Sequence, residues 1–173
     1  MKKVLMSALG LFLIFQSFAQ NTQNTEPVNK TNSWLKAGVE VSAPVGNTSN
    51  FSSFALGLDL SGQFLANPNL GLGVASGYTN YFGKNGFKDV GVIPLGALIR
   101  VYPASSGFFA GTDLGYSFVT NSGSNGGFYI KPQLGYHNYD WNFYGFYNQV
   151  FISAPGSDLQ NLGVAATYNI RFK

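Results

Sequence analysis

The sequence predicts an all-β chain: a transmembrane, up-and-down antiparallel β-barrel of about eight strands, preceded by a cleavable signal peptide. Three observations carry that prediction. The N-terminus reads as an export signal, the rest breaks into amphipathic segments of strand length, and the strand charges all fall on one face.

Lys2 and Lys3 are followed by an apolar run over 4–15, and Ser17 and Ala19 stand at −3 and −1 of a cut before Gln20. Basic, apolar and small-residue regions in that order make a secretory signal over 1–19. The run is too short for an anchor helix, which needs roughly 20 apolar residues. Residues 20–32 are polar and without hydrophobic period, a flexible leader. Residues 33–173 form the barrel domain. Two of the ten basic residues leave with the signal, so the exported chain is close to neutral against seven acids. No basic cluster suggests nucleic acid. With no cysteine, disulfide staples and thiolate metal sites are excluded.

Charged residues make up 10% of the chain, against about 25% in soluble proteins. Aromatics reach 16% and glycines number 22. Such a composition suits a surface that meets lipid. Strands are predicted over 34–42, 53–65, 69–82, 89–102, 107–119, 127–137, 140–152 and 159–172. Tilted membrane strands need about 9–11 residues, so the lengths suffice. Connections alternate between tight turns, at 66–69, 103–106 and 138–139, and longer Gly/Asn/Ser-rich loops, at 43–52, 83–88, 120–126 and 153–158. Bacterial barrels show that alternation, with short turns on the periplasmic side.

Side-chain parity is the strongest test, because neighbours along a strand point to opposite faces. In the last segment Leu162, Val164, Ala166, Tyr168, Ile170 and Phe172 share one face, opposed by Asn161, Gly163, Ala165, Thr167, Asn169 and Arg171. In the second, Phe54, Leu56, Leu58, Leu60 and Phe64 oppose Gly57, Asp59, Ser61 and Gln63. Lys36, Glu40, Asp59, Arg100, Asp113, Lys131 and Arg171 all fall on the polar face. A random arrangement would scatter them over both. They are predicted to form a lumen network of paired charges, since buried charges must find partners. A narrow ion path lined by the same residues is the functional alternative. In the seventh segment both faces are mixed, which a bulge would explain. Aromatics near strand ends predict two interfacial girdles. Trp34, Phe64, Tyr102, Phe108, Tyr136, Trp141 and Phe172 make one, and Phe54, Tyr78, Phe118, Phe128 and Phe151 the other.

With its signal, short leader, eight amphipathic strands and terminal Tyr168-x-Ile170-x-Phe172, the chain resembles the small outer-membrane β-barrels. These are the OmpX-like barrels and the OmpA transmembrane domain, often called porin family outer-membrane proteins. The resemblance covers roughly 33–173 and rests on pattern. It implies residence in the outer membrane of a Gram-negative-type envelope. It also implies contact with outer-membrane lipid and lipopolysaccharide, and a monomeric state. Tyr168, Ile170 and Phe172 match the last-strand signal read by the barrel-assembly machinery in such families. Lys173 departs from it by making the aromatic penultimate.

Candidates for chemistry are few. His137 is the sole histidine and is expected beside a turn, with Asp140 as its nearest acid. Some eight-stranded barrels are lipid A-modifying enzymes that use a His with Ser or acidic partners, but that chemistry faces the outer leaflet. A surface hydrogen bond is the expected role, and neither an enzyme nor a cofactor is predicted. One His and no Cys cannot build a zinc site without several carboxylates. Gly71-Leu72-Gly73 and the glycines over 123–127 lack the Lys-Ser/Thr tail of a phosphate loop and relieve crowding instead. The loop over 83–88 carries Lys84, Phe87 and Lys88 and could touch anionic lipopolysaccharide, but ordinary solvated loop charge is the expected account. A soluble lipocalin-like ligand-binding barrel is the opposite case, with apolar side chains turned inward. Seven strand charges are too few to cover its exterior.

Overall fold

A computed structural model describes residues 33–120, 126–153 and 158–171. The strands are β1 (Ser33–Pro44), β2 (Ser52–Asn67), β3 (Leu70–Gly83), β4 (Val90–Val101), β5 (Gly107–Val119), β6 (Gly127–His137), β7 (Trp141–Ile152) and β8 (Leu159–Arg171). Each pairs antiparallel with its neighbours in sequence, and β8 closes on β1 to complete the barrel. A short 3-10 turn at Gly46–Asn50 interrupts the first loop. The predicted segments match these strands to within two residues at each end. The expected signal, leader and terminal Phe172 lie outside the described residues.

Period-two alternation decides which face meets which solvent. Val39, Leu58, Leu134, Val164 and Phe108 stand outward, the last 74% exposed. Lys36, Glu40, Asp59, Arg100, Asp113 and Lys131 stand inward, none more than 9% exposed. Apolar outside and polar inside is the reverse of a lipocalin-like barrel.

The structure corrects two expectations. β7 carries no bulge: it pairs with β8 in one unbroken register from Trp141↔Tyr168 to Val150↔Leu159. Its mixed faces arise because inward positions hold Tyr144, Phe146 and Val150 beside Asn142, all buried. The bulges instead lie at the two ends of the β2–β3 ladder. Trp34 and Tyr102 also leave the predicted girdle. They share parity with Lys36 and Arg100, so they turn into the lumen and are 7% and 4% exposed. Phe108, Tyr136 and Trp141 at that end, and Phe54, Tyr78, Phe118, Phe128 and Phe151 at the other, do stand outward.

Two prolines sit in strand interiors, where a missing N–H should break a ladder. The β3–β4 pairing skips from Ser76↔Leu95 to Thr79↔Val92 around Pro94. The β6–β7 pairing skips from Ile130↔Gln149 to Gln133↔Phe146 around Pro132. Inward glycines leave room for long lumen side chains. A Cβ on Gly57 would lie 2.8 Å from Glu40 Cγ, and one on Gly111 would lie 2.7 Å from Arg100 Cγ.

Candidate functional site

The lumen is the site, and it is layered along the barrel axis. Toward the loop end, Ala55, Tyr81, Val92, Tyr129, Val150 and Leu159 pack into an apolar collar. Toward the end that holds the short turns, Tyr102, Phe109, Tyr144, Phe146 and Ala165 form a second one. An eight-stranded barrel is just wide enough to be filled by side chains. Between these collars lies the charged layer.

Lys131 is its centre. From β6 its Nζ donates to Glu40 Oε2 on β1 at 2.6 Å and to Asp59 Oδ2 on β2 at 3.1 Å. Thr79 donates to the other Glu40 oxygen at 2.7 Å, and the Tyr144 hydroxyl donates to Asp59 Oδ2 at 2.6 Å. The Lys131 ammonium also sits 4.4 Å from the centre of the Phe146 ring. Each charge is therefore desolvated but satisfied, which is the condition for a buried pair to hold. The enclosed space beside Glu40, Asp59 and Lys131 is about 20 Å³. That admits about one water.

Pairing is narrower than the charge count suggests. Asp113 receives Gln133 Nε2 rather than a cation, and its Oδ1 has no hydrogen-bond partner among the described residues. Arg100 is fully buried, with its guanidinium carbon 5.2 Å from the Phe109 ring and 5.0 Å from that of Tyr144. No acceptor stands in hydrogen-bond geometry to its three nitrogens among the described residues. Lys36 donates to Tyr102 Oη at 2.9 Å and Asn142 Oδ1 at 3.3 Å, both neutral. Arg171, at the rim, donates to the Tyr139 carbonyl at 2.9 Å and packs over the rings of Trp34 and Tyr139. Of the seven predicted charges, three meet in ion pairs among the described residues: Lys131, Glu40 and Asp59. The other four are held by neutral groups and aromatic faces.

Reading the sequence for charge assigned no role to the neutral members of this site. Tyr102 links Lys36 to Gln63, donating to Gln63 Oε1 at 2.8 Å. At the loop end Tyr81 donates to Asn161, which in turn donates to Ser42. Parity placed Gln63 and Asn161 on this face, and the same rule finds Tyr102, Tyr81 and Ser42, all five being buried. His137 is buried, packs edge-on against Tyr102 at 4.6 Å between ring centres, and has Nε2 3.2 Å from the Ala104 carbonyl. No ion pair joins it to Asp140. The site offers a hydrogen-bonded, charge-bearing filling, and His137 is placed as a packing residue of the turn.

No family model matches the sequence, and no curated protein matches it. Among solved structures, Ail, the attachment invasion locus protein of Yersinia pestis, aligns with a TM-score of 0.56 at 12% identity, over 80% of this chain and 98% of that one. Neisserial surface protein A aligns with a TM-score of 0.55 at 14% identity, over 85% of this chain and all of the other. The N-terminal β-barrel domain of Pseudomonas aeruginosa OprF gives 0.52 at 12% identity, over 80% and 98%. At these identities the likeness is one of fold: the chain has the architecture of the small outer-membrane β-barrels.

Proposed function

We propose that this chain is an integral outer-membrane β-barrel whose lumen is closed by its own side chains. On this reading it serves a structural or interaction role, not one of passage. The supporting observation is the filled middle layer, where the space bordered by Lys131, Glu40, Asp59, Tyr81 and Tyr129 has room for about one water. An exposed apolar belt that includes Leu35, Leu56, Leu95 and Leu134 would be intolerable in water and is at home against acyl chains. Both described chain ends lie at the short-turn end, which on this reading faces the periplasm. The loops of the other end then meet lipopolysaccharide. Tyr168 and Ile170 point outward, where the assembly machinery could read them.

The experiment is expression in a Gram-negative host, followed by membrane fractionation and gel mobility with and without boiling. The reading expects the protein in the outer-membrane fraction with heat-dependent mobility. Recovery as a soluble periplasmic protein would overturn it.

A further inference from the structure

We propose that the short-turn mouth of the barrel is a binding site for a small organic carboxylate with an apolar or aromatic body. A cavity of about 560 Å³ opens there, in the range of small-molecule pockets. Lys36 and Arg171 line it with the rings of Trp34, Tyr102 and Tyr139, and no Asp or Glu does so among the described residues.

The charge layering explains why this mouth is short of anions. All three lumen acids lie deeper. Glu40 is four residues farther along β1 than Lys36, about 13 Å at strand rise, and Asp59 pairs across from Gly38. Lys131 holds Glu40 and Asp59, while Gln133 holds Asp113. None of the three acids contacts Lys36, whose hydrogen bonds go to Tyr102 and Asn142 and use two of its three N–H donors. Arg171 is bound to a backbone carbonyl and pairs with no carboxylate among the described residues. Two cations at the mouth with no carboxylate in contact, in a low-dielectric wall, focus positive potential on the cavity. A carboxylate would satisfy that field, and the ring walls would bury the rest of the ligand.

That the mouth faces the periplasm rests on the proposed function. The binding site itself does not, so the test uses the refolded full chain in detergent, with folding checked separately by heat-dependent mobility. The chain has two tryptophans, and Trp141 stands on the outer face. Trp141→Phe therefore leaves Trp34 as a reporter in the cavity wall. Benzoate is the probe, with benzamide, benzylamine and inorganic phosphate as comparisons. The expected result is saturable change of Trp34 emission by benzoate. Benzamide should bind about tenfold more weakly or worse, since it forfeits a charge-assisted contact. Lys36→Gln should weaken benzoate by about tenfold, and Arg171→Gln provides the same check if the first variant does not fold. Tyr81→Phe, at the far collar, should leave benzoate binding unchanged. Equal responses to benzoate and benzamide, no saturation, or phosphate binding as tightly as benzoate would each overturn the proposal.

Discussion

Lys131 and Glu40 stand 91 residues apart in sequence and on strands that share no ladder, yet their charged atoms lie 2.6 Å apart across the lumen. The contact is a transverse strut: it joins β6 to β1 through the interior, where backbone hydrogen bonds cannot reach. Because Lys131 also bonds Asp59 on β2, the strut is forked.

Removing the Lys131 ammonium should strand two buried carboxylates. Lys131→Met is expected to destabilise the barrel by about 3–5 kcal/mol, read as a lowered urea midpoint of unfolding in detergent. Adding Glu40→Gln and Asp59→Asn to the same chain should restore much of that loss, because the uncompensated charge disappears. An unchanged midpoint in the single variant would show that the strut carries no stability.

Arg100 should behave in the opposite way. It is buried against Phe109 and Tyr144 without a carboxylate partner, so Arg100→Met removes a desolvated charge and keeps most of the packing. Its unfolding midpoint should stay close to that of the parent, within about 1 kcal/mol, because a buried charge without an ion-pair partner gains little Coulombic energy against its desolvation. A loss as large as that of Lys131→Met would mean that Arg100 has strong partners in solution.

The outward face should be intolerant of charge in proportion to depth. Leu56→Arg, Leu95→Arg and Val164→Arg are expected to cost roughly 2–4 kcal/mol each, and Phe108→Arg, one residue inside the β5 edge, about 0–1. Folding yield into phospholipid vesicles reads the difference. Equal tolerance at all four would contradict the assignment of this face to lipid.

Much of this architecture was legible in the chain because one rule, two-residue alternation, acts alike on every strand. Leu58 beside Asp59 and Ile99 beside Arg100 leave no doubt about which side is which. Where that rule was set against a second one, the reading failed. Trp34 and Tyr102 sit at strand ends, where aromatics suggest a girdle, but their parity with Lys36 and Arg100 turns them inward. On β7 the alternation is hidden, because aromatics occupy both faces: Phe143 outward, Tyr144 and Phe146 inward. The identity of the ion pairs was not legible at all. Which of four cations meets which of three acids depends on the stagger at which β8 closes on β1, and that is a property of the whole ring.

The central claim is that the lumen is closed by its own side chains, and single-channel recording in a planar bilayer tests it most directly. The refolded parent should insert and remain silent at high salt. Tyr144→Ala/Phe146→Ala, which removes two members of one collar and leaves the loop-end collar and the Lys131 strut in place, should remain silent as well. Discrete conductance from the parent would contradict the account, because an ion path would then run through the layer that Lys131, Glu40 and Asp59 are held to seal.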